Sequence, residues 1–105
     1  MGNVVPLVDP QDYKRVHQRI KRLWREGNYE PLPHAQERMQ QRSIDILDIQ
    51  NVLLYGRVTE HSLPGEQWRY TVQGLSVEGI RLACVVEING SLTLVSVVDV
   101  SRRRG

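Results

Sequence analysis

The stretch IRLACVVEINGSLTLVSVVD, residues 80–99, decides the fold, because apolar side chains recur at alternate positions on both sides of Asn89-Gly90. A period of two marks a strand with one buried face, and Asn-Gly is the pair that best tolerates the positive φ angles of a two-residue hairpin turn. Strands at about 80–88 and 92–99 are therefore expected to pair as the centre of an antiparallel sheet. Leu82, Cys84, Val86 and Ile88 share one face, and Leu92, Leu94 and Val98 alternate on the partner strand. Cys84 lies inside this alternation and reads as an inert core thiol.

Working backward, two more strands are expected at about 57–62 and 67–73, bounded by Pro64-Gly65 and by Gly74 to Gly79. Before residue 57 the hydrophobic period becomes helical. Asp9-Pro10 reads as a helix start, and Tyr13, Val16, Ile20, Leu23 and Trp24 recur at helical spacing until Gly27-Asn28. Pro31-Leu32-Pro33 reads as a stiff connector, since each proline fixes its own φ and biases the residue before it away from helix. A short helix is expected from His34 to Arg42. Asp45 then caps a third helix with Ile46, Ile49, Val52 and Leu53 as its stripe, and Gly56 takes a left-handed terminating position. The resulting expectation is an α+β fold, with N-terminal helices packed on a four-stranded antiparallel sheet.

At 105 residues the chain has room for one domain, 1–105, with its core at about 10–100, a short flexible N-terminus and a basic C-terminal tail. Hydrophobic residues are 40% and charged residues 25%, too apolar for disorder, and no run of about 20 apolar residues offers a membrane span. The first residues lack the pattern of a secretory signal, so the cytoplasm is the expected location. One cysteine and three dispersed histidines supply neither a disulfide nor a cysteine-rich zinc site, and no metal or cofactor is expected. The net charge of +2 conceals its distribution. Residues 1–44 carry eight Lys and Arg against five Asp and Glu, residues 45–98 three against six, and residues 99–105 three against one. A basic helical half and a basic tail flank an acidic middle.

Within the basic half, His34-Ala35-Gln36-Glu37-Arg38-Met39-Gln40-Gln41-Arg42 carries the most chemistry. At 100° per residue, His34, Arg38, Gln41 and Arg42 fall within an arc of about 100°. Guanidinium groups grip phosphate oxygens in pairs, and a histidine at a helix N-terminus beside arginines is held toward its neutral form, available as a base. The same residues also fit a plain helix surface in which His34 caps the helix and Arg38 and Arg42 pair with Glu37, Asp45 or acids of the sheet. The first helix adds a cationic cylinder including Arg15, Arg19 and Arg22, suited to phosphate or to an acidic partner. On the strand at 67–73, Trp68 and Tyr70 share one face and Arg69 takes the other. Tyr70 can orient or protonate a leaving oxygen and Trp68 can stack on a base, or the pair is core. His61, near a loop, reads as surface.

Arg25-Glu26-Gly27-Asn28, the His-Ala-x-x-Arg-Met-x-x-Arg run from His34 to Arg42, Ile44, Asp48, Val52-Leu53, Gly56, Trp68-Arg69-Tyr70, Gly74, Gly79 and Val85-Val86 together resemble the family catalogued as domain of unknown function 4258. The resemblance covers about residues 16–99. Two positions depart from the family pattern: Ser43 stands where glycine is usual, and Ser96-Val97-Val98 where the family closes with Thr, an apolar residue and Tyr. That family is similar in fold to small toxins of the RelE and MqsR type, so the resemblance implies a RelE/barnase-like arrangement with a curved sheet. It further implies a metal-independent endoribonuclease, cleaving messenger RNA by attack of the ribose 2′-hydroxyl on the adjacent phosphate. The partner implied is a cognate antitoxin, of the zinc-finger type encoded beside some members. In this sequence His34 then matches the base or acid, Arg38 and Arg42 the phosphate stabilisers, and Arg69 or Tyr70 a supporting group, with Arg15, Arg19, Arg22 and Arg69 contacting RNA. The competing class is a non-catalytic module whose basic first helix docks an acidic protein surface. A DNA-backbone binder is disfavoured because no helix-turn-helix pair is evident.

Overall fold

The computed structural model describes residues 11–100; the Asp9-Pro10 helix start and the basic tail beyond Val100 lie outside them. The first helix, α1 (Tyr13–Arg25), begins behind Asp12, whose carboxylate accepts from the Arg15 backbone N–H at 3.2 Å. Next come a short strand β1 (Tyr29–Pro31), α2 (Pro33–Gln41), α3 (Ile46–Tyr55), and strands β2 (Arg57–Ser62), β3 (Arg69–Leu75), β4 (Arg81–Ile88) and β5 (Leu92–Asp99). The α+β class stands, but the four-stranded antiparallel sheet does not. The sheet has five strands in the order β1-β5-β4-β3-β2, and β1 runs parallel to β5.

The fifth strand hides in the segment that reads as a connector. Three residues are too few to show an alternation, and a proline at the end argues against a strand. Pairing comes instead from the main chain: Leu92 N–H donates to the Asn28 carbonyl and Leu32 N–H to the Leu94 carbonyl, each at 2.9 Å. Positions 28 and 32 thus face β5, while Pro31 alternates outward to the open edge, where its missing N–H leaves no ladder bond unmade.

Two register shifts set which side chains face inward. Val85 pairs Ser96 while Val86 pairs Leu94, so Val95 is an extra residue in β5. Beyond it the alternation inverts, and Val97 rather than the expected Val98 is buried, at 1% exposure against 39%. On β2, Val58 pairs Val72 while Glu60 pairs Thr71, so Thr59 is extra and His61 shares the inward face with Tyr70. The β4–β5 turn also differs from expectation. Ile88 pairs Leu92 across a three-residue loop, in which Gly90 alone takes a positive φ, 73°.

The core is one cluster: Val16, Ile20, Leu23 and Trp24 of α1, Ile49, Val52 and Leu53 of α3 and Ala35 of α2 pack with Val72, Leu82, Cys84, Val86, Leu92 and Leu94 of the sheet. Each fully buried aliphatic side chain contributes about 1.5–3 kcal/mol. At one end of α1 Tyr13 reaches His61 on β2, and at the other Trp24 stacks on Tyr29 of β1, at a centroid distance of 3.9 Å. Those strands are opposite edges of the sheet. A helix of this length, about 20 Å, matches four inter-strand gaps of about 4.8 Å each, so α1 spans the sheet's width. Asp45 caps α3 in a reciprocal box with Asp48. Gly56 ends α3 at φ −82°, not in the left-handed region. Glycine is required there for space, because a Cβ would overlap the Gln73 carbonyl.

The ends of α1 and α2 repeat one motif with different residues. Asn28 N–H donates to Leu23 O and Gly27 N–H to Trp24 O; Ile44 N–H donates to Met39 O and Ser43 N–H to Gln40 O. The residue in the left-handed position is Gly27 (φ 74°) in the first and Ser43 (φ 54°) in the second. A serine there bears the clash of its Cβ with the carbonyl oxygen. Ser43→Gly is therefore expected to stabilise the protein by about 0.5–1 kcal/mol, the relief of that strain less the chain entropy of glycine. The check is a higher urea midpoint at unchanged m-value; an unaltered or lower midpoint contradicts it.

Candidate functional site

Pro33 starts α2 because its fixed φ suits the first turn and its missing N–H is one the helix would leave unbonded. The residue before it, Leu32, is the N-cap, and no side chain caps the helix. His34 is thus exposed on the first turn rather than engaged as a cap. Arg38 is half-buried one turn on, and Arg42, exposed, is the C-cap. The pairing expected of an ordinary helix surface is absent. Among the described residues the ion pairs are Arg15–Asp12 and Arg69–Glu87, and neither involves α2. Asp45 is engaged in capping α3, and Asp48 accepts from the Asp45 and Val77 backbone N–H groups. His34, Arg38 and Arg42 therefore form an arc in which neither arginine is in an ion pair among the described residues. A concavity of about 320 Å³ lies on the other flank of α2, between Pro31, Gln36, Met39, Gln40 and Ile44.

On α1, Arg15, Arg19 and Arg22 follow i, i+4, i+7 spacing and fall within about 60° of one another. His17 and Trp24 face α3 through bonds to Leu53 and Gln50, so the arginine stripe lies on the side turned away from α3. Arg15 makes a loose, exposed pair with Asp12 at 3.6 Å, worth little in solvent. Arg22 is exposed, and Arg19 is half-buried with its Nε enclosed and without a hydrogen-bond partner among the described residues. Both surfaces belong to helices that touch β5.

The strand residues divide as the alternation requires. Tyr70 is 4% exposed on the inward face of β3, two strands from the one on which α2 packs. Arg69 points to the opposite face, where its Nε donates to Glu87 Oε2 at 2.7 Å directly across the ladder. Its charge is thereby matched. The fold does not gather Tyr70 and Arg69 with the α2 arc.

It does gather a cluster that the sequence reading missed. The Tyr13 hydroxyl and His61 Nδ1 lie 2.7 Å apart, and the His61 ring is 5.4 Å from that of half-buried Trp68. His61 reads as surface under simple alternation, and only the extra residue at Thr59 turns it inward; no local sequence signal announces that bulge. Cys84 is the inert thiol expected, with burial pushing its pKa up to about 12. Among the described residues no three His, Cys, Asp or Glu side chains cluster as metal ligands.

A family model described as Domain of unknown function (DUF4258) matches residues 32–100, from the N-cap of α2 to the residue after β5. The stretch includes the whole α2 arc and leaves out α1 and β1. No curated protein and no solved structure matches the chain.

The third histidine, His17, is part of the scaffold. Its Nε2–H donates to the Leu53 carbonyl at 2.7 Å. Burial lowers its pKa below the ordinary 6.5, the Leu53 bond opposes this, and Lys21 adds to the lowering. Between the folded and unfolded pKa values the unfolded chain binds the extra proton. Stability is accordingly full above about 6.5 and falls as the pH drops toward the folded-state value. Urea midpoints at pH 7.5 and 5.5 are expected to differ in that direction, and His17→Gln to reduce the difference; an equal slope in the variant would refute the assignment.

Proposed function

The chain belongs to the family described as Domain of unknown function (DUF4258), and on that footing we propose that it is a toxin-like, metal-independent endoribonuclease acting on messenger RNA in the cytoplasm, held in check by a cognate antitoxin. The observation that carries the reading is the α2 arc of His34, Arg38 and Arg42, which takes part in no ion pair among the described residues, in a fold that pairs Arg69 with Glu87 and caps α3 with Asp45. Unneutralised guanidinium groups one helical turn apart suit a phosphodiester.

In this chemistry His34 takes the proton from a ribose 2′-hydroxyl, and the oxygen attacks the adjacent phosphorus. Arg38 and Arg42 balance the charge that gathers on the non-bridging oxygens. The P–O5′ bond breaks, the imidazolium returns its proton to the departing 5′-oxygen, and the products are a 2′,3′-cyclic phosphate and a 5′-hydroxyl. Tyr70, enclosed in the core, is not needed for any of these steps. The α1 stripe of Arg15, Arg19 and Arg22 offers further phosphate contacts.

A second reading has its own support. Arg38 and Arg42, in no ion pair among the described residues, suit an acidic protein surface as well as a phosphodiester. The two separate in one assay: purified protein with a defined transcript and no added metal. Cleavage leaving cyclic phosphate ends is expected, reduced about 10²-fold or more by His34→Ala and by Arg38→Ala, with folding intact by circular dichroism. Induced expression should arrest growth, and the same variants should relieve it. Uncut transcript, or full activity in both variants, removes the ribonuclease reading.

A further inference from the structure

Away from α2, two adjoining concavities of about 290 and 440 Å³ share Arg57, Gln73, Gly74 and Leu75 and form one continuous cleft. It begins at Asn51 and Tyr55 near the end of α3, passes the start of β2, and continues over the outer face of the sheet to Thr59 and Arg81. The register explains the arrangement. Arg57 stands opposite Gln73, and Arg81 opposite Leu75, so the two arginines flank β3 from neighbouring strands on the face away from the helices.

Gly74 lets α3 approach β3 closely, since a Cβ there would meet the Gly56 Cα at 3.0 Å. Both arginines are exposed, neither is in an ion pair among the described residues, and no acid lines either concavity. Tyr55 at the rim is 78% exposed. The lining also includes Asn51, Thr59, Gln73 and Leu75, with Gln73 Nε2 donating to Thr59 Oγ1 at 3.5 Å.

We propose that this cleft binds single-stranded RNA, with Arg57 and Arg81 holding backbone phosphates on either side of β3 and Tyr55 stacking on a base. The proposal rests on the reading of an RNA substrate above, and it assigns the RNA track to a surface distinct from the α2 arc. Unpaired guanidinium groups complement a polyanion, an exposed aromatic ring supplies a stacking platform, and amides suit base edges. A protein partner fits less well, because Leu75 is the sole large aliphatic side chain in the lining.

The test uses a fluorescein-labelled, 2′-O-methylated 12-nucleotide RNA, which cannot be cleaved through the 2′-hydroxyl, so anisotropy reports binding alone. Arg57→Ala and Arg81→Ala are each expected to weaken binding and to lower the slope of log affinity against log salt by about 0.7. Arg57→Lys with Arg81→Lys should keep the slope. Tyr55→Ala should weaken binding at least fivefold with the slope unchanged. A double arginine-to-alanine variant that melts like the parent and binds with the parent's affinity and slope overturns the proposal. So does poly-glutamate binding as tightly as RNA and with the same dependence on Tyr55. Failure of the ribonuclease reading is separable: wild-type protein that binds the methylated RNA through the cleft yet leaves an unmodified transcript uncut supports the cleft and removes the catalysis.

Discussion

The antiparallel ladder between β4 and β5 is the constraint on which the other elements depend. It supplies two of the three interior strands, and its inward residues Leu82, Cys84, Val86, Leu92, Leu94 and Val97 are each no more than 5% exposed. Both neighbours attach to it, β3 along β4 and β1 along β5. The helices dock onto the apolar face it creates. Without that face, α1 has an apolar stripe and nothing to bury it against, because a single helix of 13 residues is marginal in water by itself.

Single-residue insertions then determine the identity of the surfaces. Val95 swaps Val97 for Val98 at the core, and Thr59 turns His61 toward Tyr13 and Trp68. A bulge costs one ladder position and redirects every side chain beyond it. The same economy operates at the helix ends. Ser43 occupies a left-handed position that α1 fills with Gly27, and in doing so it fixes the exit of α2 immediately after Arg42.

Charge is organised by the same layering. Positive charge lies on an arginine stripe on α1, an arc on α2 and two arginines on the outer face of the sheet, while Glu87 matches Arg69 and Asp45 and Asp48 serve as caps. Asp12, Asp45, Asp48 and Glu87 are engaged in caps and ion pairs, while Arg38, Arg42, Arg57 and Arg81 are in no ion pair among the described residues. That asymmetry, rather than the net charge, is the electrostatic property relevant to a polyanion.

Much of this was legible in the residues themselves. Periodicity alone separated three helices from the later strands, Asp45 announced its cap, and the His34–Arg42 arc followed from 100° per residue, because these are local properties of contiguous chain. Tertiary structure decided the rest. Tyr29–Pro31 becomes a strand only because β5 presents free carbonyl and N–H groups to it, some 60 residues later in the chain. Gly56 is explained only by the Gln73 carbonyl pressed against it, and the cleft of Tyr55, Arg57 and Arg81 exists only once three strands and a helix end are brought together. Sequence encodes the dihedral preferences and the apolar period of each segment; register, bulges and the meeting of distant surfaces emerge from packing those segments against one another, and no single segment contains them.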